Sequence, residues 1–211
     1  MAAYPLALLP APPSSMRPLG GLHTVSSEQV AGQDRKADGL ERCMAIQKLV
    51  SIRNFAHQDS EPCCVLDGLY LGSIGSARNL EALKKRGITH VLNASPIVPR
   101  FHKKHFSYLT VHVYDDPEED IARFFHQATC FIARGRRKGG VLVHCYAGQS
   151  RSVALLLAYL CSALHMRLAD AFQLVLHARP SACPNSGFMR QLEAFADTLQ
   201  AASKGSSDEE L

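Results

Sequence analysis

An apolar tripeptide, Val141-Leu142-Val143, runs directly into the segment HCYAGQSRS (144–152), which passes at once into the helix-forming run RSVALLLAYL. That order dictates a short buried strand, a tight loop and a helix start, with a thiol at the junction. Backbone N–H groups are unpaired there and the helix dipole is positive, so anions are favoured. A thiol in such surroundings ionises at about pH 3.5 to 7.5 instead of about 8.5. The same concavity suits a phosphoryl group.

Five residues lie between Cys145 and Arg151, so a loop folding back on itself sets a guanidinium beside the sulfur. Gly148 lets that loop turn sharply. Arg151 offers planar, bidentate hydrogen bonds matched to two phosphoryl oxygens, which a lysine does not imitate. Tyr146, Ala147, Gly148, Gln149 and Ser150 supply the rest of a candidate phosphate cradle. The hydroxyl of Ser152 can donate to the Cys145 sulfur and ease its departure from a phosphocysteine. His144 is expected behind the loop, bonded to loop carbonyls. Neighbouring residues on a strand point to opposite faces, so His144 and Cys145 make a poor metal pair, and no metal or organic cofactor is called for.

A departing hydroxyl needs a proton and a later water needs a base, which one carboxylic acid on a loop can serve. The stretch DDPEED (115–120) offers five candidates.

The rest of the chain reads as a mixed α/β pattern. Val65 to Leu71, broken by Asp67-Gly68, gives two extended pieces, and Ser76 to Arg86 a helix ended by Gly87. ITHVLNA (88–94) and SYLTVHV (107–113) are rich in strand formers. Ile121, Phe124, Phe125, Ala128, Phe131 and Ile132 trace a helical stripe, brought to an end by Gly135, Gly139 and Gly140. The basic run Arg134, Arg136, Arg137, Lys138 is expected as a solvated helix end. Leu168 to His177 and Ser186 to Gln200 give two closing helices.

Residues 1–38, with their Pro-rich PLALLPAPPSSMRP, are expected to be a disordered extension, and residues 202–211 an acidic disordered tail. Between them lie an amphipathic helix or linker over 39–60 and a catalytic domain over 61–201. Leu40, Met44, Leu49, Ile52 and Phe55, interleaved with Arg42, Lys48 and Arg53, form a basic amphipathic stripe. It is expected to pack on the domain, with a calmodulin-type partner at residues 40–55 as the other reading.

Seven cysteines, an odd number without C-x-x-C, point to a reducing compartment, here cytoplasm or nucleus. An acid-poor, Ser-containing start is also compatible with an organelle transit peptide. The net charge of +4 is too modest for a nucleic-acid binder, and no apolar run approaches the roughly 20 residues of a membrane span.

The pattern H-C-x-x-G-x-S-R-S between an apolar strand and a helix resembles the signature of dual-specificity phosphatases, a branch of the cysteine-based protein tyrosine phosphatases. GLYLGS (68–73), THVLNAS (89–95), VHVYDD (111–116) and RPSACPNSGFMRQL (179–192) are similar to that family in the same order, over roughly residues 62–200. The resemblance implies one protein-tyrosine-phosphatase-like α/β domain, with a small central mixed sheet flanked by helices. It implies a phosphocysteine on Cys145, and an acid at Asp115 with Phe125 ten residues on; Asp116 remains the alternative. Asn185, in P-N-x-G-F, is expected to cap the helix that follows it near the phosphate loop.

No lysine stands between Cys145 and Arg151, in contrast to lipid-phosphatase relatives, and Ser150 stands where glucan phosphatases commonly have Gly. Nothing is similar to the Tyr-bearing loop that deepens the pocket of strictly tyrosine-specific relatives, so a shallow, dual-specificity pocket is expected. The resemblance thus implies a small atypical member, similar to plant-type ones, acting on phosphotyrosine and phosphoserine/threonine in proteins. A mitogen-activated protein kinase is a candidate substrate. The other readings are a non-catalytic phosphoprotein-binding pseudophosphatase, or a phosphatase of phosphoinositides, glucans or RNA 5′-triphosphates.

Overall fold

The computed structural model describes the backbone of residues 27–205 and the side chains of residues 41–202. Along it run α1 (Ser27–Gln58), β1 (Cys63–Leu66), β2 (Leu69–Gly72), α2 (Ile74–Arg78), α3 (Leu80–Lys85), β3 (Ile88–Asn93) and β4 (Ser107–Thr110). A 3₁₀ turn (Ala122–Phe124) leads into α4 (Phe125–Lys138), then β5 (Gly140–His144), α5 (Arg151–Ala163), α6 (Leu168–Ala178) and α7 (Ser186–Gly205).

The strands make one five-stranded mixed sheet in the order β1-β2-β5-β3-β4. Only the β1–β2 hairpin is antiparallel; β2, β5, β3 and β4 run parallel. β5 is central and buried at every position, as a run of apolar residues in a covered parallel sheet must be. Its alternation sorts two cores. Val141 and Val143 face Phe125 and Ile132 of α4, Leu155 of α5 and Phe188 of α7. Leu142 turns the other way, to Ala77, Leu83 and Val91. Burying each such side chain contributes about 1.5–3 kcal/mol, so the strand that carries the loop is held from both faces of the sheet.

Several boundaries differ from the sequence expectation. The single helix foreseen over 76–86 is two, because Asn79 closes α2 with its N–H and caps α3, its side chain accepting from Ala82. SYLTVHV is ladder only as far as Thr110; Val111 and Val113 are buried beyond the end of β3's pairing. Gly135 lies inside α4, and Gly139 ends it. Arg136 is not simply solvated, since it donates to the Tyr159 hydroxyl and the Asp67 carbonyl.

Residues 27–38, expected to be disordered, are helical, and residues 202–205 continue α7; residues 1–26 and 206–211 lie outside the described residues. The chain divides into two units, residues 1–45 and 46–211. The larger unit therefore begins well ahead of residue 61. Within it the expected apolar stripe is only partly covered: Ile52 packs inward, whereas Leu49 is 65% and Phe55 41% exposed. No described helix is long and apolar enough to cross a membrane.

Candidate active site

β5 delivers His144 and Cys145 to the carboxyl edge of the sheet, and α5 begins at Arg151, so the intervening residues close a loop around the sulfur. Cys145 is 1% exposed. The N–H of Gly148 and the hydroxyl of Ser152 each donate to its Sγ at 3.2 Å. Burial pushes the thiol up, but the charge of Arg151, the Ser152 hydroxyl and the N–H groups of Ser152 and Gly148 outweigh it and leave the thiol below its ordinary value. Cys161 shows what burial does alone, its thiol being raised to about 11.

The loop's carbonyls are turned outward and held there. Those of Tyr146, Ala147, Gly148 and Gln149 accept, in order, from Ile74 N at 2.9 Å, Arg179 Nη2 at 2.8 Å, Arg179 Nε at 2.7 Å and Cys183 N at 2.7 Å. In a planar trans peptide the N–H opposes the C=O, so the N–H groups of the same units point inward. Gly148 sits at φ +69°, and a side chain there would run into the backbone carbonyl of Gly72. The nest is the geometry that receives a phosphoryl group.

His144 stands behind the loop, 1% exposed, donating from Nδ1 to the Cys145 carbonyl at 3.1 Å. Burial drives its imidazole down to about 4, so it is neutral at physiological pH. Arg151, 7% exposed, is braced by Ser95 Oγ at 3.3 Å and the Val113 carbonyl at 3.5 Å. Its Nε faces Asp115 Oδ2 at 3.5 Å, an ion pair without hydrogen-bond geometry.

Of the acidic stretch, Asp115 alone reaches the loop. Its Oδ1 accepts from Ser150 Oγ at 2.6 Å and Asn185 Nδ2 at 3.0 Å. Asp116 instead accepts from the N–H of Glu118 within the turn. Asn185 also accepts from Phe188 N at 2.9 Å, capping the start of α7, and its own N–H donates to Ser150 Oγ at 3.1 Å. Phe125 is buried and packs on Phe195.

The cleft above the loop encloses about 480 Å³, and Lys48 and Ile52 of α1 form part of its wall. That wall, the brace at Ser95 and the two bonds from Arg179 were not foreseen from sequence. Ser95 and Arg179 each left a trace there, inside THVLNAS and RPSACPNSGFMRQL, as did Lys48 and Ile52 in the amphipathic stripe. Among the described residues no three His, Cys, Asp or Glu side chains converge as metal ligands do.

The family model for the catalytic domain of dual specificity phosphatases matches residues 69–198. Dual specificity protein phosphatase 1 of Arabidopsis thaliana is 34% identical over 179 residues, covering 84% of this chain and 90% of that protein. MAP kinase phosphatase with leucine-rich repeats protein 3 of Dictyostelium discoideum is 42% identical over 141 residues, which are 66% of this chain but 16% of that protein. The crystal structure of a mouse putative dual specificity phosphatase complexed with zinc tungstate superposes with a TM-score of 0.65 at 36% identity, over 68% of this chain and 91% of that one.

Proposed function

This chain belongs to the dual specificity phosphatase family and is a protein tyrosine/serine/threonine phosphatase, and we propose that it works through a phosphocysteine on Cys145. The Cys145 thiolate attacks phosphorus while the P–O bond to the substrate breaks, and Asp115, as the acid, gives its proton to the departing oxygen. Water then loses a proton to Asp115 and attacks phosphorus; the P–S bond breaks, with the Ser152 hydroxyl donating to the leaving sulfur. Arg151 and the inward N–H groups hold the three equatorial oxygens throughout, stabilising the charge that spreads over them in the transition state.

The observation that carries this reading is the buried sulfur of Cys145, held below its ordinary pKa between Gly148 N–H, Ser152 Oγ and the charge of Arg151. Tungstate, an oxyanion, in the mouse relative is consistent with it. The test is Cys145→Ser, which should abolish turnover while still retaining a phosphopeptide. Undiminished turnover would overturn the mechanism.

The neutral side chains of Tyr146, Ala147 and Gln149 favour phosphoproteins over polyanionic lipids or RNA. A mitogen-activated protein kinase is the substrate proposed for trial, supported by the name of the Dictyostelium relative. Phosphorylated kinase, a phosphoinositide, a phosphoglucan and a triphosphate RNA assayed side by side separate these. Turnover confined to the last three would overturn the protein-substrate reading.

A further inference from the structure

Arg179 is 3% exposed, yet it belongs neither to the C-x5-R segment nor to the acid loop. Its guanidinium makes four polar contacts and lies over the Phe55 ring, 5.7 Å from its centroid. Nε donates to the Gly148 carbonyl at 2.7 Å, and Nη2 to the Ala147 carbonyl at 2.8 Å and to Asp59 Oδ2 at 2.7 Å. Nη1 reaches Cys63 Sγ at 3.4 Å. Burial opposes the charge, but Asp59, with Cys63, more than compensates and holds the guanidinium above its ordinary value.

The carbonyl of Ala147 and the N–H of Gly148 belong to one peptide unit, and that N–H donates to Cys145 Sγ. Whatever fixes the carbonyl on one side of the plane therefore aims the donor on the other. The next unit, Gly148 C=O with Gln149 N–H, is fixed the same way. Gly148 at φ +69° is the residue most free to let these two planes rotate. Arg179 is the group that stops them.

Asp59 is itself pinned. Its N–H donates to the Phe55 carbonyl at 2.9 Å, and its own carbonyl accepts from Ser73 Oγ at 2.9 Å and Ser76 Oγ at 3.0 Å. The same turn supplies Ile74 N–H to the Tyr146 carbonyl. Asp59 lies ahead of residues 69–198, the stretch matched by the family model.

We propose that Arg179 is a positioning residue for the phosphate loop and that Asp59, from the end of α1, sets Arg179, so that the catalytic unit includes this segment. The inference rests on reading Cys145 as the phosphatase nucleophile. Arg179 touches no reacting atom; it acts through the Ala147–Gly148 and Gly148–Gln149 peptide planes. The fork is essential, since an ammonium cannot span two adjacent carbonyls and a carboxylate in fixed directions.

The variants are Arg179→Lys, which keeps the charge and loses the fork, and Asp59→Asn, nearly isosteric and outside the loop. The charged and titratable groups around the sulfur and its loop, Lys48 of α1, Asp115, Arg151 of α5, Cys183 and, behind the loop, His144, are unchanged in both. Iodoacetamide alkylation, followed at the Cys145 peptide by mass spectrometry across pH, reads the thiol directly. Both variants should keep the wild-type circular dichroism, raise the apparent thiol pKa by about half a unit to one unit, and lose kcat/KM on the order of tenfold.

A folded Asp59→Asn protein with the wild-type alkylation profile and kcat/KM would overturn the role of Asp59. A folded Arg179→Lys protein with both unchanged would overturn the fork. Alkylation needs no turnover: a wild-type chain inert toward phosphopeptides would sink the phosphatase mechanism, while an upward shift in the variants would still uphold Arg179.

Discussion

Ser150 gives its hydroxyl to Asp115 across 2.6 Å although it occupies the N-cap position of α5, where a serine ordinarily serves its own helix. Asp115 and the loop between Cys145 and Arg151 are thereby tied together, with Asn185 as a second donor to the same oxygen. Asp115→Asn is expected to lower kcat about a hundredfold or more on phosphoserine peptides. The loss should shrink for aryl phosphates with good leaving groups, and Asp116→Asn should stay near wild type. Steady-state rates on the two substrate classes check this; the reverse order would assign the acid to Asp116.

Gly187, in the first turn of α7, lets the loop that carries Asp115 approach closely, because any Cβ on it would fall on the Pro117 carbonyl. Gly187→Ala must displace the loop two residues after Asp115. The expected result is a lower kcat on phosphoserine with an unchanged Cys145 alkylation profile. A shifted thiol pKa would mean that the damage reached the phosphate loop.

Ser152→Ala removes one of the two hydrogen-bond donors at 3.2 Å from the sulfur. The thiol should titrate higher, and breakdown of the phosphocysteine should become slower than its formation. Rapid quench should then show a burst of dephosphorylated product followed by a slow steady state. A variant with no burst and wild-type turnover would remove Ser152 from the mechanism.

His144, ordinarily titrating at 6.5, is held down to about 4 by burial. The unfolded chain therefore binds a proton that the folded one excludes. Stability is complete above pH 6.5 and falls as pH drops toward 4, by about 2 kcal/mol at pH 5 from this group. In urea titrations at pH 7 and pH 5, His144→Asn, whose amide can donate from the place of Nδ1, should lose that part of the slope. An equal slope in both proteins would place the acid sensitivity elsewhere.

What sequence reveals here follows the range of the interactions. β5 and α5 are legible because every residue from Val153 to Leu160 and each position of the strand is buried, so composition alone announces them. The loop between them is local too, and its N–H groups follow from strand, turn and helix. The split at Asn79 was missed because one side chain both closes α2 and caps α3, which periodicity does not register. Asp115 and Asp116 are adjacent, so pattern does not show which of them meets the loop; the bonds that bring Asp115 there come from Ser150 and Asn185, 35 and 70 residues away. The pairing of Arg179 with Asp59 spans 120 residues and carries no local signal.

The start of α5 has a further consequence. No side chain caps it, because its serine is turned to the acid. An anion in the cradle would complete the helix as a cap does, so occupancy and folding are linked: tight oxyanion inhibitors should raise the melting temperature, by an increment that grows with the logarithm of their concentration. Inorganic phosphate, the product of turnover, should raise the melting temperature in the same way.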